Sequence, residues 1–224
     1  MTTEIFILLL VLIFVPGLVA QMRVRSAMKK YSQVRARSGV TGAEVAAEIM
    51  HAAGIVDVEV QRTDSFLGDH YDPKRKKLVL SPAVYSSNSV AALGIAAHEV
   101  GHAIQHKQAY APLQARMAVV PATMAVSQLM PLVVIGGFWF HIPMFITLGI
   151  IVYSVVVLFQ LITLPVEFNA TARAKRVLQE MHIVGRDEMT GVNAVLNAAA
   201  LTYVAALVAA AAHLVWLILA RDRR

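Results

Sequence analysis

Val90-Ala91-Ala92-Leu93-Gly94-Ile95-Ala96-Ala97-His98-Glu99-Val100-Gly101-His102-Ala103-Ile104-Gln105-His106-Lys107 decides how the rest of the chain is read. Its first eight residues are almost wholly apolar, which is the composition of a buried helix. Ser87 or Asn88 stands where an N-cap belongs, so a helix is expected from about Ser89 to Lys107. Residues four apart share a helix face, so His98 and His102 can offer both imidazoles to one metal ion. Glu99 then flanks the position left to water, where a carboxylate can accept a proton. Two imidazoles and a carboxylate are costly to bury without partners, and a bound ion would supply one.

Outside this helix the chain is strongly apolar: 58% of residues are hydrophobic and the mean hydropathy is +0.62. That exceeds the usual range of water-soluble domains. Four long apolar runs account for it, Ile5 to Ala20, Met117 to about Phe140, Met144 to Leu164, and Ala194 to about Ala220. The last three match a hydrocarbon core of about 30 Å, and the first can span with its polar flanks included. Leu18-Val19-Ala20 resembles a signal-peptide cleavage site, but the charge order is reversed: no Lys or Arg precedes the run, while Arg23, Arg25, Lys29, Lys30, Arg35 and Arg37 follow it. A retained anchor with its N-terminus outside is expected. Four spans then put segments 21–116 and 165–193 together in the cytoplasm, with thirteen and four Lys/Arg, and leave only Arg221, Arg223 and Arg224 opposite. That basic tail is the one feature against the rule.

The expected fold class is therefore mainly α: a polytopic helical membrane protein with about four transmembrane helices and a small α+β insert. Five segments follow. Residues 1–20 form the anchor, 21–116 a cytoplasmic insert with the His-rich helix, and 117–164 two transmembrane helices. Residues 165–193 return to the cytoplasm, and 194–224 form the last transmembrane helix and its tail. The net charge of +6 suits the lipid bilayer that these charges flank better than nucleic acid, and none is expected as a partner. Cysteine is absent, which excludes disulfides and thiolate metal sites.

Within the insert, Gln21 to Arg37 reads as a basic juxtamembrane helix. Thr41-Gly42-Ala43-Glu44 is a capping box for a helix reaching about Ala53, ended by Gly54. Val56, Val58 and Val60 alternate with Asp57 and Glu59, the period of a strand. Asp69-His70-Tyr71-Asp72-Pro73 reads as a loop. Lys77 to Leu80 reads as a second strand, the natural edge for pairing with an extended substrate.

A zinc hydrolase usually has three protein ligands, and the candidates for the third can be ranked. A metzincin's glycine and third His would fall at Gln105 and Gln108, so that class is excluded. His106 lies about 12 Å along the helix from His98 and is a poor co-ligand. Glu167 follows the third span, on the same side as the motif; Glu180 and Glu188 share that side but stand further from the membrane exit.

Ala97-His98-Glu99-Val100-Gly101-His102-Ala103-Ile104-Gln105-His106, preceded by Asp69-His70-Tyr71-Asp72-Pro73 and followed by Leu164-Pro165-Val166-Glu167-Phe168-Asn169-Ala170, resembles the YugP-like neutral zinc metallopeptidases of bacterial membranes. The resemblance runs from the anchor through the third span. It implies a gluzincin-like insert with zinc held by His98, His102 and Glu167, and with Glu99 as the catalytic general base. That family has Asp at the position of Asn169. Related membrane peptidases have Asp where this chain has Thr171. Both differences weaken a negative partner behind a ligand His, which tunes metal affinity.

The activity expected is peptide-bond hydrolysis by a zinc-activated water, outside the hydrocarbon core, with a polypeptide as substrate. Arg173, Tyr71, His70 and His106 are the candidates for stabilising the oxyanion, and the sequence does not choose among them. A proteolytically inactive zinc-binding scaffold or adaptor is the principal rival, and an intact Glu99 argues against it. Transport is the weakest reading, since spans two and three carry no ionisable group at mid-membrane. Oligomeric state is not legible.

Overall fold

A computed structural model describes residues 2–64, 68–139 and 143–221. They fold into helices α1 (Thr3–Tyr31), α2 (Gly42–Ala52), α3 (Pro82–Tyr85), α4 (Val90–Lys107), α5 (Ala111–Trp139), α6 (Pro143–Glu180) and α7 (Met189–Arg221). Strands β1 (Glu59–Arg62), β2 (His70–Asp72) and β3 (Lys77–Leu80) complete the list. The chain divides into two compact units. One comprises Met1–Gln21, Gln114–Pro165 and Leu201–Arg224; the other comprises Met22–Leu113 and Val166–Ala200.

The described residues of the first unit are helical from Thr3 onward. Three helices among the described residues are long and apolar enough to cross a membrane: α1, α6 from Met144, and α7. Their apolar side chains face outward, Phe14 and Leu18 of α1 being 61% and 62% exposed. Such surface is stable only against lipid or another protein. Residues 117–139 of the second apolar run lie within α5, and Phe140 lies outside the described residues. In α7 the His213 ring stacks on Tyr153 of α6 at 4.9 Å, and its Nδ1–H donates to the Ala209 carbonyl.

The second unit is an α+β layer around α4. Its core joins Val45 and Ile49 of α2, Leu78 and Leu80 of β3, Leu93 and Val100 of α4, Leu178 of α6 and Val192 of α7. The capping box on α2 forms as expected, with Thr41 Oγ1 accepting from Glu44 N–H and the Glu44 carboxylate accepting from Thr41 N–H at 2.7 Å. Glu44 is held below the usual carboxylate range chiefly by that backbone bond. Gly54, at φ +66°, ends the helix where a left-handed residue is needed.

Five local expectations are corrected. The basic helix ends at Tyr31, as the C-terminal part of α1. The Val-rich strand begins only at Glu59, leaving Val56 in a loop and 88% exposed. The α4 cap is Ser89 itself, whose hydroxyl accepts from Ala92 N–H at 3.2 Å. Residues 70–72, read as loop, form β2. Too short to show a period, β2 is defined by antiparallel pairing with β3, Tyr71 opposite Leu78. Asp72 makes the turn between them by accepting from Lys74 and Arg75 N–H at 2.9 and 3.0 Å, and Lys76 completes it at φ +52°. The sheet order is β1-β3-β2, with β1 parallel to β3. Lys77 to Leu80 is therefore the central strand and offers no free edge. Asp69, ahead of β2, accepts from Ser81 N–H at 2.7 Å.

The start of α7 is fastened by Glu188, only 8% exposed, whose carboxylate accepts from Arg37 N–H at 2.7 Å and Gly185 N–H at 2.6 Å. Charge-assisted bonds of this kind contribute about 1.5–3 kcal/mol each. Glu188→Ala is thus expected to lower the thermal unfolding midpoint in detergent by several degrees. An unchanged midpoint would show the contact to be dispensable.

Candidate metal centre

The centre is built where α4 meets the part of α6 beyond Pro165. Their close approach depends on Gly101: a Cβ there would lie 2.8 Å from the Ala170 carbonyl oxygen and 3.2 Å from its Cα. With only hydrogen at that position the two backbones touch, so the side chains that flank Ala170 on α6 reach the histidines of α4.

His98 Nε2 lies 3.3 Å from Glu167 Oε2, and His102 Nε2 lies 3.5 Å from the same oxygen. The two rings meet edge to face at 4.9 Å. One ligand atom from each of the three residues lies within 4.8 Å of the others, so that together they could hold a single ion. Glu167 is 2% exposed and His102 and Glu99 9% each, so the cluster is nearly dry. Burial pushes the Glu99 carboxyl upward, the Glu167 and Asp69 carboxylates add to this, and the two imidazoles oppose it. For His102 burial is the largest influence and pulls downward. The hydrogen bond to Glu167 and the charges of Glu99 and Glu167 outweigh it, and the ring's pKa ends raised. A divalent ion at His102 Nε2 would compete with the proton that this ring favours.

The outer nitrogens are engaged as well. His98 Nδ1 faces Thr171 Oγ1 at 3.3 Å, and His102 Nδ1 faces Gln105 Oε1 at 3.0 Å. Gln105, fully buried, donates its amide hydrogens to the Val166 carbonyl at 2.8 Å and to Asn169 Oδ1 at 3.0 Å. Arg173 Nε–H donates to the same Asn169 oxygen at 2.6 Å, and its Nη1–H to Gln108 Oε1 at 2.7 Å. With both amide hydrogens given away, the Gln105 oxygen can only accept. It therefore holds a proton on His102 Nδ1 and leaves Nε2 as the nitrogen that faces Glu167, where a proton or a metal ion can sit between them.

The model of the family described as "Putative neutral zinc metallopeptidase" matches residues 5–222. The chain belongs to this family. It is also 48% identical over 187 residues to "Putative membrane protease YugP" of Bacillus subtilis (strain 168), covering 84% of this chain and 83% of that protein. No solved structure matches the chain.

The family's zinc suits the donors present. Two imidazole nitrogens and one carboxylate oxygen are a zinc hydrolase's ligand set, and each ring's second nitrogen is held by an outer partner. Of the other residues singled out in the sequence, Thr171 meets a ring of the cluster directly. Asn169 acts by way of Gln105, and Arg173 stands behind Asn169 with its guanidinium over the Tyr110 ring at 5.9 Å. Tyr71 and His106 bond each other, hydroxyl to Nδ1 at 2.8 Å, and burial pushes the Tyr71 hydroxyl up to about 12. His70 is exposed and turns Nδ1 to the Gly68 carbonyl.

Gln105 is the residue that sequence reasoning missed. Its signal was there: it stands three residues after His102 on the same helix face. Gln105→Leu keeps the volume and removes the acceptor. Loss of a partner behind a ligand typically costs about 10–100-fold in metal affinity. A zinc-chelator competition titration should show a loss in that range, whereas an unchanged affinity would mean that Gln105 serves only packing.

Proposed function

We propose that this chain is a multi-pass membrane zinc endopeptidase with a gluzincin-like site. His98, His102 and Glu167 are the ligands and Glu99 is the general base. The observation that carries the reading is the convergence of His98 Nε2, His102 Nε2 and Glu167 Oε2 beside a buried Glu99 that belongs to the same helix. Bound zinc supplies a Lewis acid that acidifies water and polarises a carbonyl. Glu99 takes the proton from the attacking water and delivers it to the departing amine. Gln105 and Thr171 keep the imidazoles oriented while this happens. An extended polypeptide pairs with β2, the sheet edge packed against α4, rather than with β3.

Four spans, α5 included, place the insert 21–116 and the segment 165–193 on the cytoplasmic side, supported by the seventeen-to-three division of Lys and Arg. Cleavage then takes place in the cytoplasm, just outside the hydrocarbon core. Nothing in the geometry favours an inactive scaffold, which has no use for a buried carboxylate beside the ligands.

The test is detergent-purified full-length protein on unfolded casein. About one zinc per chain is expected, with cleavage lost to a chelator and restored by added zinc. Zinc binding without cleavage of casein or membrane-protein substrates would return the reading to a scaffold. Absence of zinc binding would end the peptidase reading.

A further inference from the structure

A second feature of α4 lies outside the metal cluster. Beside its C-terminal half is a cavity of about 490 Å³, walled by Ile55, Val56, Val58, Tyr71, Ala103 and His106. Three observations bear on its use. First, Glu99, Ala103 and His106 stand at i, i+4 and i+7, along one ridge of the helix. The cavity thus begins about 6 Å and ends about 10 Å from the general base along the axis, at about 1.5 Å per residue. An extended peptide covers that distance in about two or three residues. Second, β2 is held along the same ridge. Asp69 at its start lies close enough to Glu99 to act on its charge, and Tyr71 bonds His106 further along. A chain added to β2 would run past the cavity.

Third, the polar groups of the wall are already matched. Tyr71 is bonded to His106, Lys76 to Asp57, and Lys107 donates to the carbonyls of Ala53 and Gly54 at 2.6 and 2.7 Å. A charged occupant would lose water and gain no partner. What the wall still offers is apolar surface, above all Val56, whose side chain is left in solvent at 88% exposure.

We propose that this cavity is a specificity subsite that takes one bulky apolar side chain of an extended polypeptide, two or three residues from the bond that Glu99 helps to cleave. The subsite rests on the peptidase reading for its purpose, while its capacity to hold a peptide side chain does not require hydrolysis.

Two measurements on the full-length protein in detergent test it. The first uses internally quenched Ala/Gly peptides carrying one Phe, moved along the peptide, with cut sites read by mass spectrometry. Burial of such a side chain is expected to raise kcat/KM about tenfold or more when Phe sits two or three residues from the cut. Val56→Asp, at an exposed position that folding does not need, should erase most of that advantage through KM. The all-Ala/Gly peptide, which puts no bulky side chain into the cavity, should lose far less than the Phe peptides. The second measurement uses Glu99→Gln protein and the same peptides with benzoylphenylalanine in place of Phe. Irradiation should label the 54–58 loop or Tyr71. Labelling there without cleavage by wild type would uphold the subsite and overturn the peptidase reading. Cleavage with labelling elsewhere would overturn the subsite, as would a Phe advantage that Val56→Asp leaves intact.

Discussion

Glu99→Gln is expected to keep its zinc and to lose hydrolysis by about two to four orders of magnitude, the usual contribution of a positioned general base. The amide matches the carboxylate in shape and fills the same 9%-exposed position. It cannot accept a proton from water, nor return one to the leaving amine. The ligands are untouched, so zinc stoichiometry should stay near that of wild type. Folding should not suffer either: burial disfavours the charged form of Glu99, and a neutral side chain avoids that cost. Three readings on one preparation check this: zinc content, the thermal unfolding midpoint, and cleavage of a quenched peptide. Activity within tenfold of wild type would require another base.

Glu167→Ala is expected to abolish tight zinc binding and, with it, all cleavage. Two imidazoles alone leave the ion with too few ligands and no negative charge to offset its own. The loss should exceed the ~10–100-fold typical of residues behind a ligand. It should therefore also exceed that of Gln105→Leu. Glu167→Asp, shorter by one methylene, should fall between. Glu180→Ala should bind zinc like wild type, because Glu180 ends α6 more than three turns beyond Glu167. Chelator competition distinguishes these cases. Should Glu167→Ala keep wild-type affinity, the third ligand lies elsewhere.

Several local features were legible because their signals span only a few residues. The capping box at Thr41 and Glu44, the chain reversal at Gly54, and the helix from Val90 to Lys107 all depend on neighbours within one or two turns. Others were not legible for equally physical reasons. β2 is three residues long, too short for alternation to register, and is defined by its partner. Lys77 to Leu80 looks the same in sequence whether central or at an edge. The Val56-Asp57-Val58 alternation has strand period, yet Val56 has no partner strand and stands in solvent.

The sequence by itself determined that the chain is apolar enough for membrane helices, and that His98, Glu99 and His102 share one buried helix. Helical period sets the angle between residues four apart whatever surrounds them. Which distant groups meet that helix was decided by tertiary structure, although the family resemblance already implied Glu167. Glu167 and Thr171, 69 and 73 positions from His98, reach it because α6 lies against Gly101, where any side chain would hold the two backbones apart. The same contact turns Gln105 from one polar residue on a helix into the link between His102, the Val166 carbonyl and Asn169. Long-range packing is a property of two surfaces at once, and a single segment encodes only one of them.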